Sequence, residues 1–228
     1  MRRRSILCGQ LAGDLTSLCN NFRSPRRAVP RDRDLLMGEM LLISSHAVFE
    51  AYFEELARKV LQAALWKYKS SGKMNAVIQS LIDLDYRAQV ASLPRAQFQF
   101  RSVDEQIKSA ADRYRKTIDH NQGIKRSNLY SLFLPLGFAE SDFDNVWLSA
   151  MDAFGSNRGD AAHGRAVNPR GEILIDLPAA NPPMQISVLN RQDGRARARY
   201  APWDVEDQIN LLASEAYRWD LRCLALLR

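Results

Sequence analysis

The stretch Asp34–Lys69, DLLMGEMLLISSHAVFEAYFEELARKVLQAALWKYK, decides the fold class. It holds no proline and one glycine, and its apolar residues recur at helical spacing over a band wide enough to bury most of a helix circumference. It reads as one long central helix, with Ser44-Ser45 a place where it can kink and SSGK, Ser70–Lys73, its end. His46, Glu50 and Glu54, four apart, draw a polar line along this otherwise apolar element. One reading of that line is an exposed stripe, with Glu54 and Arg58 pairing in solvent.

Outward from this helix the pattern stays helical. Residues 5–22 alternate apolar and polar at helical spacing and stop before RSPRRAVPRDR, a connector rich in proline and arginine. Residues 74–93, 103–119 and 126–136 predict further helices, the first closed by Pro94. Ser141 is expected to cap DFDNVWLSAMDAF, with Asp142 and Asp144 in its first turn, and that helix is expected to end at Gly155. Ser156 or Asn157 would then cap a short new helix. Residues 165–203 differ: EILIDL, MQISVL and ARARY are short β-like runs, with an Asp-Gly turn between the last two. The chain closes on an amphipathic helix with Asp204 as its cap. The expected whole is one domain over 1–228, an all-α bundle with a small β-hairpin excursion before the last helix. Its parts are an N-terminal helix and basic connector (1–33), a core bundle (34–164), a β-like insertion (165–203) and a closing helix (204–228).

Composition excludes more than it identifies. At 228 residues with 46% hydrophobic and 25% charged residues, the chain is ordinary for a globular protein. The net charge of +6 is compatible with a polyanionic partner without requiring one. Cys8, Cys19 and Cys223 are odd in number and lack paired spacing, so they predict neither a disulfide framework nor a zinc site. The basic start runs into too short an apolar stretch for a signal peptide, broken by Gln10 and Asp14, and no segment predicts a membrane span. A cytoplasmic location is the resulting expectation, and Arg158-Gly159-Asp160 then lacks the setting of an adhesion tripeptide. His46, His120 and His163 are not spaced as metal ligands, and phosphate-binding, dinucleotide-binding and nucleophile-elbow motifs are absent. No cofactor is implied.

What remains is RGDAAHG, Arg158–Gly164. Arginine presents a fixed fork of donors matched to phosphate, and histidine exchanges a proton near neutral pH. Together they form a minimal kit for cleaving RNA without metal, one group moving protons and the other stabilising charge on the transition state. Asp160 between them can orient either one. Positions five apart lie about 140° around a helix, so convergence requires an element that is short or ends at His163, or a second copy of the motif. The alternative is a helix C-terminus where basic side chains favour the dipole. Arg165, adjacent to the motif, and the alternating Arg195, Arg197 and Arg199 are candidate RNA-backbone contacts; for the last three a charge-blunted sheet edge is the competing reading. His120, at an expected helix end, reads as structural.

RGDAAHG resembles the Rx4–6H motif of HEPN domains, especially the RiboL-PSP-type families, and SSHAVFEAYFEELARKVL is similar to their early long helix with its glutamate. The order of the two segments is also similar. The resemblance covers roughly residues 35–165, and the C-terminal helix more loosely. One departure is Gly159, where the family usually has a polar residue, commonly asparagine. The resemblance implies an all-α homodimer with its motifs facing across a two-fold cleft. It implies a metal-independent endoribonuclease that leaves a 2′,3′-cyclic phosphate and a 5′-hydroxyl, of the kind found as toxins or in defence systems, with RNA and a cognate antitoxin or defence-complex protein as partners. His163 would be the acid/base and Arg158 the charge clamp, with Asp160 in support and Glu50, the matched glutamate, approaching one of them. A non-catalytic HEPN module binding RNA, nucleotide or a partner protein is the alternative.

Overall fold

The computed structural model describes residues 5–92, 102–163 and 200–226, and the regular elements among these are helical. They are α1 (Ile6–Asn21), α2 (Asp32–Ser71), α3 (Ala76–Ser92), α4 (Val103–Asp119), α5 (Arg126–Phe133), α6 (Asn145–His163) and α7 (Pro202–Leu226). Two 3₁₀ turns, Leu134–Leu136 and Glu140–Asp142, join α5 to α6. The all-α expectation holds. The expected β-like runs lie within 165–199 and at the edge of α7, and residues 164–199 are outside the described residues.

α2 is the axis of the bundle and is one helix of 40 residues, with no break at Ser44-Ser45. Ser45 turns its hydroxyl back onto the Leu41 and Leu42 carbonyls, at 2.6 and 3.2 Å, and so satisfies itself inside the core. At the start of α2 the Asp34 carboxylate accepts from the Arg31 backbone N–H at 3.0 Å, and Asp32 and Asp34 favour the positive end of the helix. Gly72 ends it in the left-handed region (φ 66°), its N–H donating to the Tyr68 carbonyl at 2.8 Å.

Every other helix packs against α2. Its Leu41, Leu42, Phe49, Tyr52, Phe53, Leu56, Val60 and Leu61 are buried. Phe53 meets Phe133 at 6.1 Å and Trp147 at 5.9 Å edge-on, and Phe49 meets Phe154 at 6.2 Å. Trp219 of α7 stacks on Phe133 at 5.2 Å and lies 4.4 Å from Phe143. Tyr52 and Trp147 donate to the Ala216 and Leu212 carbonyls of α7, at 3.3 and 3.2 Å, so these large rings bury their polar tips satisfied. The N-terminus of α1 is tied to α7 by the fully buried Asp220, which accepts from the Ser5 hydroxyl and from the Ser5 N–H.

Three expected boundaries are corrected. Asp144, not Ser141, caps α6: its side chain accepts from the Trp147 N–H at 2.8 Å, while Ser141 lies in the preceding 3₁₀ turn. α6 does not end at Gly155 but continues to His163, and no new helix starts at Ser156 or Asn157. Gly155 is there for close approach, since a Cβ would come within 2.9 Å of the Lys125 side chain lying across it. α7 starts at Pro202 rather than after Asp204; proline suits the first helical position, and Asp204 reaches back to the Ala201 N–H at 3.3 Å.

Gly38 of α2 is a closer approach still: a Cβ there would collide with the Tyr200 carbonyl oxygen and lie 2.9 Å from the Ala201 carbonyl carbon. Rigid backbone is the obstacle, so Gly38→Ala is expected to destabilise by about 1–3 kcal/mol despite a helix-propensity gain of about 1 kcal/mol. Gly159 in α6 has nothing within 4 Å of its would-be Cβ. Gly159→Ala is therefore expected to stabilise by up to about 1 kcal/mol. Urea unfolding of both variants checks the opposite signs; a Gly38→Ala protein no less stable than the wild type would contradict the packing at Gly38, and a destabilised Gly159→Ala protein the open space at Gly159.

Candidate functional site

α6 runs antiparallel to α2, as the contact pairs show: Phe53 with Trp147, then Phe49 with Phe154. One turn beyond Phe154 comes Arg158, and one turn before Glu50 comes His46. The geometry therefore brings Arg158 over the His46–Glu50 segment of α2. Arg158 is exposed, Glu50 half-buried and His46 buried, at 4% exposure. The polar line His46-Glu50-Glu54 is thus not a solvated stripe; it faces the groove between α2 and its neighbours.

His46 is the unusual member. Its Nδ1 has no hydrogen-bond partner among the described residues and lies 3.8 Å from a Glu50 carboxylate oxygen. Burial, then the charges of Arg158 and Lys125, push its pKa down to about 4. Glu50 moves the other way: burial and the neighbouring Glu54 raise its pKa, and Arg158 partly opposes them. The Arg158 charge thus acts on both groups.

Glu54 belongs to a different network. It accepts from Asn121 at 3.0 Å and faces Arg58 at 3.7 Å, while Arg58 also holds Asp119 at 3.1 Å. Asn121 in turn accepts from Asn128 at 3.2 Å. These contacts fix the turn between α4 and α5. His120 closes α4, its ring nitrogen 2.7 Å from the Lys116 carbonyl, and takes no part in the site.

Lys125 is the residue that sequence reasoning missed. It sits at the N-cap of α5, followed by Arg126, so two cations occupy the positive end of a helix. Asp152 of α6 compensates, accepting from the Arg126 N–H at 2.8 Å and facing its guanidinium at 3.5 Å. The signal available in the sequence was this unfavourable placement of Lys125-Arg126 at a helix start. Its relation to the cluster shows only once the Lys125 stem is seen crossing Gly155 and its charge is felt at His46.

Of the other expected site residues, Asp160 and His163 are placed by backbone in the last turn of α6, and their side chains are outside what is described. On this continuous helix position 163 lies about 140° around and about 7.5 Å along from 158. Arg165, Arg195, Arg197 and Arg199 fall outside the described residues. Among the described residues, no helix is long and apolar enough to cross a membrane.

Together the bundle and this cluster define an all-helical domain whose late helix sets a cation against an acidic residue of the central one. More narrowly, the chain belongs to the RiboL-PSP-HEPN family, whose model matches residues 14–177. Membership of a HEPN family suggests an RNase-like or nucleotide-related function. No curated protein and no solved structure gives a significant match.

The depressed pKa of His46 has a consequence for stability. The unfolded chain protonates this histidine near its ordinary value of 6.5, the folded one only near 4. Its contribution is therefore fully present above pH 6.5 and is lost as the pH falls from there towards about 4. Replacing it by leucine is expected to flatten that part of the stability–pH curve, by up to about 3 kcal/mol across the window. Denaturation midpoints measured from pH 4 to 7.5 for both proteins test this, and parallel curves would refute it.

Proposed function

We propose that the protein is a metal-independent endoribonuclease that cleaves RNA by attack of the 2′-hydroxyl, leaving a 2′,3′-cyclic phosphate and a 5′-hydroxyl. The observation that carries this reading is Arg158, exposed on α6 beside Glu50 of α2, in a HEPN-family chain with a histidine five positions on. An exposed guanidinium, permanently charged and near a carboxylate, is suited to stabilising the extra negative charge of a phosphorane-like transition state. In this reading His163 takes the proton from the 2′-hydroxyl and returns one to the leaving 5′-oxygen. Glu50 orients Arg158, Asp160 supports the motif, and Lys125 adds positive potential for the phosphate. His46, uncharged at neutral pH, leaves the proton chemistry to His163.

The separation of positions 158 and 163 around one helix favours a site shared between two copies of the chain, the arginine of one acting with the histidine of the other. The biological setting in this reading is a toxin or defence nuclease acting on RNA in the cytoplasm, with an antitoxin or defence-complex protein as a further partner. The segment with Arg165, Arg195, Arg197 and Arg199 would follow the RNA backbone.

Labelled single-stranded RNA incubated with the protein in EDTA is expected to be cut, and Arg158→Ala or His163→Ala to lower the rate by about 100-fold or more. Glu50→Gln should lower it less. Mixing the two inactive variants is expected to restore part of the activity, because exchange creates one intact shared site per hybrid dimer. RNA that stays intact with the wild type, or is cut equally by the variants, defeats the enzyme reading. RNA binding that persists without cleavage would instead support a non-catalytic HEPN module. A mixture as inactive as its components defeats the shared site alone.

A further inference from the structure

A cavity of about 260 Å³ opens where the end of α1, the basic connector and the first turn of α7 meet α2 at Leu41. Its walls include Cys19, Arg23, Arg26, Pro202, Trp203 and Glu206. Arg26 is engaged by Asp207 at 3.4 Å. Arg23 and Glu206 are different. Both are exposed, line the same cavity with opposite charge, and among the described residues neither the Arg23 guanidinium nor the Glu206 carboxylate has a hydrogen-bond or ion-pair partner, so both are free to meet a ligand there. The Glu206 carboxylate lies near enough to Cys19, which lines the same cavity, for its charge to be felt there: burial and then this negative charge raise the thiol's pKa.

A ligand matching these walls must be flat and apolar enough to lie against the half-buried Trp203 and Pro202, present N–H donors to a carboxylate, and carry an anion for Arg23. Unpaired nucleobases are held in this way, stacked on aromatic rings and hydrogen-bonded along their Watson–Crick edges. Guanine offers two adjacent donors, its ring N–H and its exocyclic amine, to the two oxygens of one carboxylate; adenine offers a single donor group and an acceptor in the corresponding positions. The volume of about 260 Å³ lies just under the range usual for small-molecule pockets and admits one base, leaving a phosphate to the exposed Arg23. We propose that this cavity is a guanine-nucleotide site, Glu206 reading the base edge, Trp203 carrying the ring and Arg23 holding the phosphate. The phosphate can belong to a free nucleotide or to an RNA chain.

The site is separate from Arg158 and its occupancy does not depend on catalysis, so it is tested in the Arg158→Ala protein, where RNA stays intact. Guanosine 5′-monophosphate and a short single-stranded RNA with one guanosine are titrated by calorimetry against their adenine counterparts. Alkylation of Cys19 is followed in parallel, Cys8 and Cys223 being buried. Saturable binding of a guanine ligand that slows alkylation of Cys19 is expected. Glu206→Gln should cut the preference for guanine over adenine by about tenfold, and Arg23→Ala should weaken the mononucleotide while sparing the nucleoside. The mononucleotide and RNA arms tell a free nucleotide from a chain as the source. Absence of saturable guanine binding in both arms, or binding indifferent to both substitutions, overturns the proposal. Neither result bears on whether the wild type cuts RNA.

Discussion

The burial of α2 along most of its length is the constraint on which the rest of the structure depends. A helix of 40 residues, about 60 Å, exposes too much apolar surface to stand alone, and its stability comes from the helices packed around it. Phe49 and Phe53 sit at the middle of this contact and accept the edges of Phe154, Phe133 and Trp147. Because α6 is held there by ring-on-ring packing, its following turn cannot drift, and Arg158 is delivered over Glu50 and His46. The site is a by-product of how the core closes.

Polar groups buried in that core fall into two kinds. Asp220 is satisfied by Ser5, and Asp34 by Ser24 and the Arg31 N–H, so both act as ties between elements. His46 is different: it is buried beside two cations, and its Nδ1 has no partner among the described residues. Leaving a buried polar atom unpaired costs about 1–3 kcal/mol, and such departures concentrate where a protein works. That His46 shares a turn of helix with Glu50 and lies under Arg158 makes this groove the candidate site of the α2–α6 pair.

Much of the architecture was legible in the sequence because the signals were strong and local. An apolar band without proline specified α2, the Gly72 stop is a left-handed residue as its sequence context suggests, and the spacing in 103–119 gave α4 to the residue. The boundaries read wrongly share one cause. Gly155, Ser141 and Asp204 each carry a local propensity that the fold puts to another use: Gly155 gives way to a lysine stem, Ser141 yields the cap to Asp144, and Asp204 reaches back from inside α7. For the site, Glu50 and Arg158 were legible through the paired segments and their order, whereas Lys125 was not, since nothing local says where its ammonium points.

The sequence by itself determined the helical class, the central helix, the place of the RGDAAH motif on a late helix and the resemblance that the family match bears out. Periodicity and short-range residue chemistry are written in the chain, and they suffice for that much. Only the tertiary structure decided that α6 passes straight through Gly155, that Lys125 joins Arg158 above His46, and that Arg23 and Glu206 line one cavity while remaining unpaired. These depend on which surfaces meet across long stretches of chain, and on the charge and burial created when they do.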